Sequence, residues 1–167
     1  MKKFVTAGSV ILGMAALVIA AEQAGTAGKT KAAAAPEHKA LNASELTWVD
    51  APPSLPPGAK MAVLNGDPGK AGEFTVRLQS PAGYAIPPHS HPTTERVTVV
   101  SGTFKVGMGS TVNESSMQEL GPGGYVVLPA GMAHYAKCDS ESIVQIDSDG
   151  PFKIKYVNPS DDPRSKK

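Results

Sequence analysis

Turn-forming residues cut this sequence into pieces too short for long helices. It holds 17 glycines and 15 prolines, and from about residue 73 onward they bound apolar segments of roughly four to eight residues, which is strand length. "EFTVRLQS" (73–80) alternates, with Phe74, Val76 and Leu78 on one face and Thr75, Arg77 and Gln79 on the other. "ERVTVVSGTFKVGMG" (95–109) reads as two strands folded about Ser101 and Gly102, and "GGYVVLPAG" (123–131) as a buried strand ending at Pro129. "AHYAKC", "SIVQID" and "FKIKYV" carry the pattern on to Val157. No helical period is sustained here, and no segment repeats. Many short strands between Gly and Pro turns, with aromatics at only 5% of the chain, imply an all-β sandwich or barrel.

The two ends follow a different logic. "MKKFVTAGSVILGMAALVIAAEQA" opens on Lys2 and Lys3, runs apolar from Phe4 to about Ala21 and closes on small residues, the three-part layout of a secretory signal peptide. An uncleaved anchor is the competing reading, because about 18 apolar residues is near the lower limit for a span. Thr6, Gly8, Ser9 and Gly13 inside the run, and its small-residue exit, favour cleavage. Residues 1–21 are therefore expected to be a signal peptide and the mature protein periplasmic or secreted, with no stable membrane insertion. Residues 22–40 hold too little apolar surface to offset the entropy of ordering and read as a flexible tether. The folded domain is expected over 41–158, with a polar tail over 159–167.

Composition also bounds the partners. Sixteen Lys and Arg are balanced by 15 Asp and Glu and scattered along the chain. That leaves no concentrated positive face for a phosphate backbone, so nucleic acid is not expected as a partner. The length suits one domain able to bury a core. A lone cysteine, Cys138, excludes an internal disulfide, so core packing, with or without a metal, must hold an exported fold together.

Chemistry concentrates at histidine. His89 and His91 are two apart, and in an extended chain such residues project from the same face, about 6 to 7 Å apart along the strand. Pro92 lets the chain turn, so that Glu95 can swing its carboxylate toward the same point. A third imidazole, His134, opens "HYAKC" after the turn "PAGMA". The fourth, His38, lies in the tether and reads as solvated. One histidine alone in a strand protein is ordinarily a surface or core residue. Three imidazoles and a carboxylate form a nitrogen and oxygen set suited to a first-row transition metal.

The spacing carries a family resemblance. Gly83, five residues, His89, Ser90, His91, three residues, Glu95, six residues and Gly102 resemble the first motif of the cupin superfamily at every position. Gly123, five residues, Pro129, Ala130, Gly131, two residues and His134 resemble the second, with about twenty residues between the motifs. The resemblance implies a cupin-type jelly-roll β-barrel in which His89, His91, Glu95 and His134 ligate one divalent transition metal ion: Fe, Mn, Ni, Cu or Zn. It also implies a small-molecule substrate or ligand and a homodimer. The activity it implies is that of a metalloenzyme acting on an oxygenated small molecule by dioxygenation, with decarboxylation or isomerisation as neighbouring chemistries. Glu95 would then be the catalytic proton shuttle as well as a ligand. The alternative is a non-catalytic cupin that binds or senses a ligand at its metal.

One position departs from the family pattern. The second motif usually carries asparagine four positions beyond its histidine, and Cys138 stands there. It shares the parity of His134 along a strand, so a thiolate ligand or redox group stands as one reading and a small buried hydrophobe as the other. Gly83, Gly102 and Gly123 are expected at turns that need positive φ. Tyr84 and Tyr125 read as core or pocket-lining residues, and Tyr135 should point away from the face of His134. Arg77 and Arg96 are candidate anion binders if they face inward, and solvated residues if they face out.

Overall fold

The alternation read in the sequence is realised as a sandwich of two sheets. The computed structural model describes residues 38–165; the expected signal peptide and most of the expected tether lie outside the described residues. The strands are β1 (Val49–Asp50), β2 (Lys60–Asn65), β3 (Gly72–Ser80), β4 (Tyr84–Ser90), β5 (Glu95–Ser101) and β6 (Phe104–Met108). β7 (Gln118–Leu120), β8 (Tyr125–Leu128), β9 (His134–Cys138), β10 (Ser142–Gly150) and β11 (Lys155–Tyr156) follow. One sheet runs β1-β2-β3-β10-β5-β8 and the other β11-β4-β9-β6-β7, with antiparallel pairing throughout. This is the expected jelly roll. From β3 to β6 each strand lies in the sheet opposite its predecessor, and the same alternation resumes from β8 to β11.

The inward faces are the ones the period of two selects. Phe74, Val76 and Leu78 of β3, Val97 and Val99 of β5 and Val144 and Ile146 of β10 meet Tyr84, Phe104, Val106, Ala136 and Cys138 of the other sheet in one core. Burying each of the larger side chains is worth about 1.5–3 kcal/mol. The outward partners Thr75 and Asp147 hydrogen-bond across the strands at 2.6 Å, and Arg77 donates to Gln145 at 3.4 Å.

Gly102 makes the crossing from β5 to β6 feasible. Its φ is +75°, and a Cβ there would overlap the Glu141 carbonyl and Ser142. The Ser142 hydroxyl accepts from the Thr103 N–H at 3.0 Å, fixing the turn against β10. Gly83 and Gly123 also have positive φ, +78° and +83°.

The two strands read about Ser101 and Gly102 are present as β5 and β6, and they belong to different sheets. Three sequence expectations need correction. The segment 123–131 is not a buried strand, because β8 takes the edge of the six-stranded sheet and leaves Tyr125 53% and Val127 44% exposed. "FKIKYV" contributes only the two-residue β11, while Phe152 and Ile154 turn inward to line a pocket. The tail does not trail away: Pro159–Asp161 and Pro163–Ser165 form 3-10 turns. Local partners hold it, with Asn158 accepting from the Ser160 N–H at 3.2 Å and Arg164 bonded to Asp162 at 2.6 Å and to the Ile154 carbonyl at 3.3 Å.

Candidate metal centre

The four motif side chains sit where the chain passes between the sheets. His89 lies near the end of β4, His91 just beyond it, and His134 opens β9 directly opposite His89 in the strand pairing. Glu95 opens β5 in the facing sheet. Pro87 and Pro88 lack the N–H a ladder needs, and the β4–β9 register shifts between Ile86 and His89, a bulge that re-aims the histidine. The turn after His91 is anchored to β10: the Thr93 hydroxyl donates to the Asp149 carbonyl at 2.9 Å, and the Ser148 hydroxyl to the Thr94 carbonyl at 2.8 Å. The Gly131 N–H donates to the His91 carbonyl at 2.8 Å, tying the two motifs together.

His89, His91 and His134 are all buried, and their ligand atoms lie within 4.8 Å of one another. Glu95 joins them, its Oε2 lying 3.3 Å from Nε2 of His91 and 3.3 Å from Nε2 of His134. Each ring is held from behind by a backbone carbonyl. Nδ1 of His89 reaches the Pro87 carbonyl at 2.7 Å, that of His91 the Lys153 carbonyl at 2.9 Å and that of His134 the Met132 carbonyl at 3.0 Å. A carbonyl only accepts, so each Nδ1 carries a proton and each ring is left with Nε2 turned toward the site.

That arrangement leaves an electrostatic debt. Nε2 of His91 and of His134 is buried without a well-formed hydrogen bond, although each lies 3.3 Å from Oε2 of Glu95. Burial raises the Glu95 carboxyl, but His134 and His91 beside it outweigh burial and bring it down to about 2, so it is ionised at neutral pH. Burial, with the neighbouring His134 and His91, lowers His89 to about 3, which keeps that ring neutral. With each Nδ1 committed to a carbonyl, the Nε2 positions and the Glu95 carboxylate face one another in a dry interior, where the carboxylate must be balanced either by protons on the rings or by a cation among them. Three imidazoles backed by carbonyls and one carboxylate fit a first-row transition ion, and such outer partners fix ligand orientation in metal sites generally.

The centre opens toward a pocket of about 260 Å³ that His89, His91 and Glu95 border. Phe152 lies flat on His91, with ring centroids 4.2 Å apart and planes 11° from parallel. Neither Phe152 nor the Lys153 carbonyl stood out in the sequence, since both reach the motif from about 60 residues away. The inward alternation of β3 was the one available signal for the pocket wall.

The remaining candidates fall elsewhere. Cys138 packs in the hydrophobic core, where burial raises its thiol, so the thiolate-ligand reading is set aside. Arg77 is on the outer face with Gln145, Arg96 is exposed and neither lines the pocket. Tyr84 is a core residue whose hydroxyl donates to the Pro56 carbonyl at 2.7 Å, while Tyr125 is exposed rather than core or pocket. His38 is exposed.

Comparison with known proteins agrees with this geometry. Residues 36–153 match the family described as the ChrR cupin-like domain. The chain belongs to that cupin family. Germin-like protein 9-3 of Oryza sativa subsp. japonica is 35% identical over 78 residues, 46% of this cupin and 36% of its own length. The matched stretch spans less than half of each germin-like relative. Among solved structures, a candidate acetylacetone dioxygenase from Methylibium petroleiphilum PM1 superimposes with a TM-score of 0.60 at 19% identity, over 78% of this chain and 88% of its own. The polyketide cyclase RemF from Streptomyces resistomycificus gives 0.60 at 17% identity, over 76% and 90%. At such identities the likeness is one of fold.

Proposed function

We propose that this cupin is an exported metalloenzyme acting on an oxygenated small molecule by dioxygenation, or by the neighbouring decarboxylation or isomerisation chemistries. The observation that carries the reading is the convergence of three carbonyl-backed imidazole rings and the Glu95 carboxyl group beside a pocket. His89, His91, His134 and Glu95 would hold the ion. A bound divalent transition metal would supply Lewis-acid polarisation and, with a redox-active ion, access to dioxygen. The chain's own residues do the rest. The carbonyls of Pro87, Lys153 and Met132 keep each imidazole in one tautomer. Glu95, placed between two rings and bordering the pocket, can take a proton from a substrate hydroxyl or α-carbon and return it. The apolar walls exclude water from the reacting end.

Two experiments test this. Elemental analysis of the purified protein should find about one transition-metal ion per chain, and oxygen uptake with a panel of enols, diketones and hydroxy acids should find a substrate whose turnover disappears in His91→Ala while the β-sheet circular dichroism persists. Metal uptake with tight ligand binding and no turnover would instead identify a non-catalytic ligand-binding centre. Export rests on the first 21 residues; cell fractionation and the mass of the mature N-terminus check it, and a cytosolic protein retaining Met1 would refute it.

A further inference from the structure

The pocket beside the metal centre is apolar on every side but one. β3 contributes Phe74, Val76 and Leu78, β10 contributes Ile146, and the segment after β10 closes over with Phe152 and Ile154. Because Phe152 is stacked on His91, the apolar wall continues up to the ligand ring itself. Among the residues lining the pocket, Ser54 is the one polar side chain besides His89, His91 and Glu95. Among the described residues no lysine or arginine lines the pocket: Arg77 shares the outer face with Gln145, and Arg96, Lys70 and Lys153 are exposed. An enclosed charge with no partner is strongly disfavoured.

We infer that the pocket selects a substrate with an apolar body, of the size of one ring, whose oxygen donors are confined to a single chelating end. A second carboxylate, a phosphate or a polyhydroxylated chain at the far end is excluded. The inference rests on the metal-enzyme reading and names its substrate class: apolar diketones, hydroxyketones and enols in preference to sugar acids, dicarboxylates or phosphate esters.

The test uses the full protein loaded with cobalt(II), whose visible spectrum reports on ligands at the ion, titrated with acetohydroxamate, benzohydroxamate and 4-carboxybenzohydroxamate. All three chelate alike and differ only in the body offered to the pocket. Burying the ring should tighten benzohydroxamate about tenfold or more over acetohydroxamate, and the distal carboxylate should remove that gain. Ile154→Lys, which places a cation in the wall, should restore binding of the carboxylated probe about tenfold. No gain from the ring, or equal binding of the carboxylated probe to the unaltered protein, overturns the inference while leaving the metal site standing. Failure to take up cobalt overturns the metal-enzyme reading beneath it.

Discussion

The two ends of β9 carry His134 and Cys138, both buried on the same face of one five-residue strand, yet their surroundings differ completely. At the His134 end the strand meets His89 of β4 and the carboxylate of Glu95, and polar atoms are held by carbonyls behind them. At the Cys138 end it meets Tyr84 within the hydrophobic core, with the hydroxyls of Ser80 and Ser142 as polar neighbours of the thiol. Parity chooses the face, but distance along the strand chooses the chemistry: over four residues the interior changes from a cluster of imidazoles and a carboxylate to a dry core. A family pattern that places asparagine at 138 therefore says little about the metal, and its replacement by cysteine suits the apolar end.

The largest effect expected breaks the comparison outright. Glu95→Ala and His134→Ala should each weaken metal affinity by about 100-fold or more, since loss even of an outer partner commonly costs about 10–100-fold. Cys138→Ala should leave metal content unchanged. Metal analysis after dialysis against a weak chelator decides it, and loss of metal in Cys138→Ala would reinstate the thiolate.

Acid should act on one end only. In the metal-free protein His89 is held at about 3 against its usual 6.5, and Glu95 at about 2 against 4.5. The unfolded chain takes up protons that the folded site resists, so acid favours unfolding. The contribution of His89 is complete above pH 6.5 and is lost as pH falls toward 3; that of Glu95 is complete above 4.5 and is lost toward 2. Urea unfolding of metal-free protein should therefore show stability falling from pH 7 to pH 3, with a shallower fall in a His89→Phe, Glu95→Leu double variant. Bound metal should flatten the upper part of the profile and be released along with proton uptake. Equal slopes for wild-type and double variant would place the acid sensitivity elsewhere.

Cys138→Ser probes the dry end. A hydroxyl in place of the thiol should cost about 1–2 kcal/mol of stability, moderated by the hydroxyls of Ser80 and Ser142 nearby, with metal affinity unaltered. Denaturant unfolding and metal titration on the same sample separate the two ends.

The same contrast explains what the sequence could and could not reveal. His89, His91 and Glu95 were legible together because their placement is local, two residues on one face of a strand and a proline turn, whereas His134, far along the chain, was tied to them by the spacing of the cupin motifs. The inward set Phe74, Val76 and Leu78 followed from a period of two. The exposure of Tyr125 and Val127 did not, because a continuous apolar run looks alike at the centre of a sheet and at its edge, and strand order is fixed by long-range pairing. Phe152 and the Lys153 carbonyl escaped for a related reason: their contacts with His91 span about 60 residues, and no local pattern marks a backbone oxygen as the partner of an imidazole. The 3-10 turns after Asn158 arise from small capping contacts within a segment whose composition reads as tail.

The smallest effect concerns the residue adjacent to His134 in sequence and opposite it in direction. Tyr135 is 2% exposed, and its ring lies across Gly107 of β6, the paired position where a Cβ would occupy the same space. Its hydroxyl accepts from the Asn113 N–H at 2.9 Å and donates to the Asn113 carbonyl at 3.1 Å, pinning the loop between β6 and β7 to the outside of the sheet. Tyr135→Phe keeps the ring and removes both bonds, leaving two backbone groups to find water. That should cost about 1 kcal/mol of stability and speed amide exchange around Asn113, with no change in metal affinity. Because Tyr135 and His134 are neighbours on one backbone, a metal affinity that moved with the loop would mean that the two faces of β9 are coupled and not independent, as strand geometry would otherwise have them.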